Sequence, residues 1–205
     1  QVPNQPNTHQ RFYYLELLHR AGILDKIPDS PAIRLTHSRP TPNHPLTGIS
    51  PGAAYGTAKR WLPERFAEAA IQLGHEVAIF GSNDEAELCD QIAQQIQIAG
   101  IKATNHAGRT TLREYIDLAA TCTIYLTNDS GGMHIASALG VPTVAIFGAT
   151  DHEATGPTGD KALIVRQPVD CSPCLLRECP IDHRCMTRVT AAQVSQTAKT
   201  LESRQ

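Results

Sequence analysis

The sequence predicts an α/β protein built on a doubly wound parallel sheet. Short apolar runs alternate strictly with helical patterns from about residue 47 onward, which is the signature of that sheet. Glycine turns follow several of the runs, at Pro51-Gly52, Gly81-Ser82 and Asp129-Ser130-Gly131. The stretch 122–147 also reads as a complete βαβ unit. A strand at 122–126 is followed by a sharp Asp-Ser-Gly-Gly turn, a helix of small apolar residues ending at Gly140, and a second strand at 143–147. A turn of this kind before a helix presents backbone N–H groups and the positive end of the helix dipole, a place for a phosphate. Its plainer use is to let a helix pack closely on a sheet.

In chain order, Phe12, Leu15, Leu18 and Ala21 recur at helical spacing, and Gly22 supplies a stop. Residues 28–45 hold five prolines, at 28, 31, 40, 42 and 45, around a short strand expected at Ala32-Ile33-Arg34-Leu35. Such a segment cannot be helical. A boundary is therefore expected here, with a helix and connector over 1–45 and an α/β domain over 46–205. The domain opens with a strand at Thr47-Gly48-Ile49-Ser50. Pro63 suits the first turn of a helix that turns Phe66, Ala69, Ala70 and Leu73 inward and stops at Gly74. A strand at 77–80 follows, then Ser82 and Glu85 at capping-box spacing before a helix with Leu88, Ile92 and Ile96. A short strand near 102–104 and a helix over 111–120, with a second such spacing from Thr111 to Glu114, lead into the βαβ unit. Beyond it come a strand at 162–165, a cysteine-rich loop and a final helix from Thr190 to about Leu201. In such sheets ligands bind beyond the carboxyl ends of the strands where strand order reverses, so the three glycine turns are expected to converge.

Composition removes several classes of function. A formal net charge of −2 over 205 residues gives no electrostatic reason to expect nucleic acid. No apolar run approaches the roughly 18 residues of a membrane span, and the polar first ten residues lack the pattern of a signal peptide. The chain does not open with Met, and it is expected to be part of something longer. With no secretory signal, the six cysteines are expected in a reducing compartment.

Three motifs carry a resemblance. Ile49-Ser50-Pro51-Gly52-Ala53-Ala54-Tyr55-Gly56 runs on to Lys59-Arg60-Trp61, Phe80-Gly81-Ser82 follows, and then Thr127-Asn128-Asp129-Ser130-Gly131-Gly132-Met133-His134. In this order, over about 47–147, they resemble the C-terminal half of glycosyltransferase family 9, the lipopolysaccharide ADP-heptose heptosyltransferases, and most closely its heptosyltransferase II branch. The resemblance implies one half of a GT-B glycosyltransferase, in which two Rossmann-like domains face each other across a cleft. Residues 46–205 would be the C-terminal domain that binds the nucleotide sugar, and residues 9–23 resemble the link between the halves. The acceptor domain with its catalytic base would be absent, so no catalytic base can be assigned and the chain alone is expected to be inactive. ADP-heptose is the implied donor and the lipopolysaccharide core the acceptor. No cofactor is implied. The enzyme would be cytoplasmic, with a peripheral place at the inner membrane as an option.

Residue chemistry can be set beside that implication. Lys59 lies just past a glycine turn at a strand end, where an ammonium can offset diphosphate charge; a solvated lysine is the plain alternative, and the family's lysine contacts phosphates. Arg60 could assist Lys59, though a solvated role is the favoured reading, and Trp61 reads as core. Asp129 can cap a helix, whereas the family's aspartate reaches the sugar hydroxyls, leaving Ser130 to cap. The Ser130 and Gly131 N–H groups would hold phosphate, and His134, one turn on, could point to the same site. Glu85 is explained by its capping box, while the family places an acidic residue there on the ribose. Gly52 and Ala53 are further candidates, and Gly132 stands where a bulkier residue is as common. Cys171, Cys174, Cys179 and Cys185, with His183 nearby, have spacing suited to zinc; a second C-x-x-C is missing and the family's chemistry is metal-free. Cys89 and Cys122 read as small core residues. The alternatives to a heptosyltransferase donor domain are a sugar-nucleotide-binding module without transferase activity and a zinc-ordered interaction domain.

Overall fold

The computed structural model describes residues 8–28, 33–38, 40 and 43–204. Six parallel strands form one sheet: β1 (Leu46–Ser50), β2 (Glu76–Ile79), β3 (Ala103–Asn105), β4 (Ile124–Asn128), β5 (Thr143–Phe147) and β6 (Ala162–Arg166). The helices are α1 (Gln10–Arg20), α2 (Pro63–Leu73), α3 (Ala86–Ile98), α4 (Leu112–Ala120), α5 (Gly131–Ala138), α6 (His152–Thr155), α7 (Arg184–Thr187) and α8 (Ala191–Glu202). Strand order is β3-β2-β1-β4-β5-β6, so the direction of winding reverses between β1 and β4. Ile49 pairs with Ile79 on one side and Leu126 on the other, which puts the ends of β1 and β4 side by side at the reversal.

Both faces of the sheet are covered, and β4 and β5 are buried throughout, as a parallel sheet between helices requires. Side chains alternate across it. Ile49, Ile79, Ile124, Leu126, Val144 and Ile146 pack with α2, α3 and α8, and Ala78, Phe80 and Tyr125 pack with α4 and α5. Local signals set the helix ends. Pro63 opens α2, and Gly74 closes it at φ +76°. Capping boxes Thr111/Glu114 and Thr190/Gln193 open α4 and α8. Ser82/Glu85 also forms its box, but on a 3-10 turn (Asn83–Glu85) ahead of α3.

Two expectations need correction. No strand forms over residues 33–35, and Ala32 lies outside the described residues. Leu35 instead donates its N–H to Ala138 O at 2.9 Å, and Ile33 N–H and the Arg34 guanidinium reach Thr158 and Asp160 just ahead of β6. The strand expected at 122–126 begins two residues later. Cys122 still belongs to the turn closing α4, through Cys122 N–H to Ala119 O. Helix α1 forms as expected, and it fully buries none of its residues; its apolar spacing reports helicity without a core on this side.

One polar residue joins the two sides of the reversal. Asn128, fully buried at the end of β4, donates from Nδ2 to Pro51 O at 2.6 Å and accepts the Trp61 N–H on Oδ1 at 2.9 Å. Trp61 is core, edge-on to Phe66, with its indole N–H on Val189 O. Asn128→Ala would strand both backbone groups in the interior, at about 1–3 kcal/mol each. Urea denaturation should therefore show a loss of roughly 2–5 kcal/mol, whereas a loss below about 1 kcal/mol would mean that water takes over the role of the amide.

Candidate functional site

The turns after β1 and β2 and the start of α5 enclose a cavity of about 540 Å3, within the usual range for small-molecule sites. Ser50, Gly52, Ala53 and Ala54 form one wall, Phe80, Gly81, Ser82, Asp84 and Glu85 a second, and Ser130, Gly131 and Gly132 a third. Thr110, Thr111, Leu112 and Tyr115 close the fourth side. The sequence reading missed that side, although it too lies beyond a strand end, that of β3.

Glu85 forms its expected capping box and also lines the cavity. Its Oε2 accepts the Ser82 N–H at 2.9 Å, completing the capping box, and its carboxylate also lies in the cavity wall. Gly52 makes this possible, because a Cβ there would run into the Glu85 carboxylate. Gly132 has a similar cause: a Cβ would lie 2.7 Å from Ser50 Oγ and 3.2 Å from Tyr115 OH. Ser50 Oγ, Tyr125 OH and Tyr115 OH form a hydroxyl row at spacings of 2.7 and 3.0 Å. Burial pushes both phenol pKa values up, so the row stays neutral.

Ser130 stands at the N-cap of α5 but makes no capping bond with its side chain. Its Oγ sits 3.2 Å from Thr127 Oγ1, so the expected capping role is not filled. α5 therefore meets the cavity without a side-chain cap, and a Cβ on Gly131 would meet only open space. N–H groups at such an end suit an anion.

Lys59 and Asp129 are brought together beside this cavity, outside the residues that line it. Lys59 Nζ lies 2.6 Å from Asp129 Oδ2, with the side chains 14% and 6% exposed. Thr150 donates its hydroxyl to the same Oδ2 at 2.6 Å. The sequence reading did not find Thr150; the strand-end rule applied to β5 would have done so. His134 stands on the exposed side of α5. Desolvation lowers its pKa, against the opposing charge of Asp129, so a neutral imidazole stands beside the carboxylate at pH 7. Arg60, for which both assistance to Lys59 and a solvated role were expected, lines the cavity with its side chain 36% exposed.

The four clustered cysteines do not form the zinc arrangement suggested by their spacing. Among the described residues no three His, Cys, Asp or Glu side chains are grouped to hold a metal ion. Cys171 is exposed, whereas Cys185 is buried with its thiol pushed up to about 11, chiefly by desolvation. The loop is ordered by other means. Leu175 N–H donates to Ala149 O, Ser172 Oγ to Gly148 O and Tyr55 OH to Leu175 O, at 2.8, 2.6 and 2.8 Å. Ala58 N–H donates to Arg177 O at 2.9 Å, and His183 Nε2 lies 3.0 Å from Ala58 O. The loop thus braces the turns that carry Lys59 and Thr150.

Known proteins resemble this chain in sequence and in fold. Lipooligosaccharide heptosyltransferase 2 of Campylobacter jejuni subsp. jejuni serotype O:2 is 37% identical over 161 residues, covering 76% of this chain and 50% of that protein. The structure of Escherichia coli ADP-heptose lps heptosyltransferase II superposes with a TM-score of 0.68 at 27% identity, over 100% of this chain and 54% of that one. A glycosyltransferase family 9 structure from Veillonella parvula shares the fold, with a TM-score of 0.77 at 23% identity over 100% of this chain and 63% of that one. The chain spans about half or less of the length of the curated relatives it matches. The sequence model of glycosyltransferase family 9 (heptosyltransferase) matches residues 18–184, so all three motifs, the cavity between them and the cysteine loop up to Arg184 fall within the match, and the chain belongs to that family.

Proposed function

We propose that this chain is the donor-binding part of an inverting heptosyltransferase that moves heptose from ADP-heptose to the inner core of lipopolysaccharide. The observation that carries this reading is the cavity at the strand reversal, where an uncapped helix N-terminus faces a carboxylate across a space suited to a nucleotide. The names of the relatives supply the sugar and the acceptor. In this reading the diphosphate lies against Ser130 and Gly131. Glu85 accepts the ribose hydroxyls on the carboxylate oxygen left outside its capping box, and Gly52 and Ala53 supply the backbone wall beside it. Asp129 takes sugar hydroxyls, with His134 at the rim, and Lys59 turns to the phosphates as Asp129 is engaged.

The acceptor hydroxyl attacks the anomeric carbon of heptose as the bond to the diphosphate oxygen breaks. ADP leaves with that electron pair, and the hydroxyl proton passes to a base. This chain's share is to position the donor and to stabilise negative charge on the departing diphosphate. The base and the acceptor site are assigned to the part of the relatives that this chain does not span. No described helix is long and apolar enough to cross a membrane; the reading places the enzyme on the cytoplasmic side of the inner membrane, in peripheral contact at most.

Calorimetric titration should find ADP bound in preference to UDP and GDP; equal binding of all three would remove the adenine-nucleotide assignment. Lys59→Met is expected to cost ADP-heptose affinity about tenfold or more, the scale of one charge-assisted contact. Asp129→Asn should cost more against ADP-heptose than against ADP, because it also frees Lys59. Equal losses would confine Asp129 to holding Lys59. Thr150→Val should weaken ADP-heptose binding severalfold and Thr150→Ser should restore it, while the reverse order would make Thr150 a packing residue.

A further inference from the structure

Lys59 and Arg60 are adjacent cations, and the fold sends them to different places. Lys59 ends a 3-10 turn (Thr57–Lys59), and Arg60 follows it in extended backbone at φ −89° and ψ 120°. The Lys59 ammonium is held 2.6 Å from Asp129 outside the cavity lining, while the Arg60 side chain lines the cavity itself.

Within the cavity Arg60 is poorly satisfied. One Nη2 contact reaches Ala53 O at 3.4 Å, close to the limit of a hydrogen bond. The nearest carboxylate oxygen, Glu85 Oε1, is 3.8 Å away, beyond that limit. Its Nε is buried and has no partner. A guanidinium has five donors in a planar fork that fits phosphate oxygens, and here the fork shares a cavity with the uncapped start of α5 at Ser130 and Gly131. A buried donor without a partner is costly. The Arg60 side chain is 36% exposed, and an anion between Arg60 and α5 would pair with the accessible edge of the guanidinium and with the helix N–H groups together.

We propose that Arg60 is a direct ligand of the donor diphosphate, and the first of the two cations to meet it. This rests on the donor-site reading above. The two cations then divide the work. Arg60 captures the diphosphate while Lys59 is still paired with Asp129, and Lys59 joins when sugar hydroxyls engage that carboxylate. ADP, which has no sugar, depends mainly on Arg60; ADP-heptose depends on both.

The test is calorimetric titration of the full chain with ADP and with inorganic pyrophosphate, comparing wild type, Arg60→Gln and Arg60→Lys. A thermal melt of each variant confirms folding. Arg60→Gln should weaken both ligands about tenfold or more, and Arg60→Lys, which keeps the charge without the fork, should fall between. Wild-type affinity of Arg60→Gln for ADP and pyrophosphate would overturn the proposal. So would loss for ADP alone, because pyrophosphate has no ribose and the effect would then run through Glu85. If wild type binds pyrophosphate in an Arg60-dependent way but does not bind ADP, the anion contact stands and the nucleotide-donor reading falls. If wild type binds neither ligand, both fall.

Discussion

The site depends on the Asn128 amide. In a parallel sheet the strands on either side of a winding reversal send their connections in opposite directions, and a crevice opens between their ends. Asn128 spans that crevice from β4, taking Trp61 N–H and giving to Pro51 O. The loop after β1 is thereby fixed against β4 at two points, one on each side of Lys59 and Arg60. Trp61 then anchors the loop into the core shared by α2 and α8. A loop pinned in this way can hold two cations apart without closing the space between them.

Much of this was legible in the sequence because the signals are local. Ser82/Glu85, Thr111/Glu114 and Thr190/Gln193 fix helix starts through contacts three residues apart, and Gly74 and Gly22 fix ends through a left-handed backbone. The parallel sheet follows from the strict alternation of strands and helices; which doubly wound order it takes does not, and the observed reversal between β1 and β4 is what brings the glycine turns together. What was not legible depends on where side chains point after the chain has folded. Nothing in Lys-Arg says which residue faces the cavity; the extended backbone at Arg60 decides it. Thr150 meets Asp129 across 21 residues of sequence. Ser130 makes no side-chain cap, and its hydroxyl lies 3.2 Å from Thr127 Oγ1. The cysteine spacing likewise does not say how the thiols are placed, with Cys185 buried and Cys171 at the surface.

The buried Lys59–Asp129 pair fits a site that must bind and release. Such a pair gains little net stability over the separated, hydrated ions, so its exchange for ligand contacts need not be steeply uphill. Thr150 shares the same carboxylate oxygen and gives Asp129 a neutral partner while Lys59 is engaged elsewhere. The cysteine loop, hydrogen-bonded to Ala149 and Ala58, limits how far either turn can shift during that exchange.

The hydroxyl row under the cavity has a different kind of cause. Tyr125 lies over Gly48, where a Cβ would collide with its ring, and the row it forms with Ser50 and Tyr115 lies where a Cβ of Gly132 would press. The floor is thus shaped by two missing methyl groups, one on a strand and one on a helix. Nothing bound above it touches either glycine through a side chain. A substitution at Gly48, at the far side of the ring from the cavity, would still tilt the phenol, shift Ser50 and change the shape of the site. The site's sensitivity to mutation therefore reaches one layer deeper than its lining, into a position that no survey of contacts with a ligand would find.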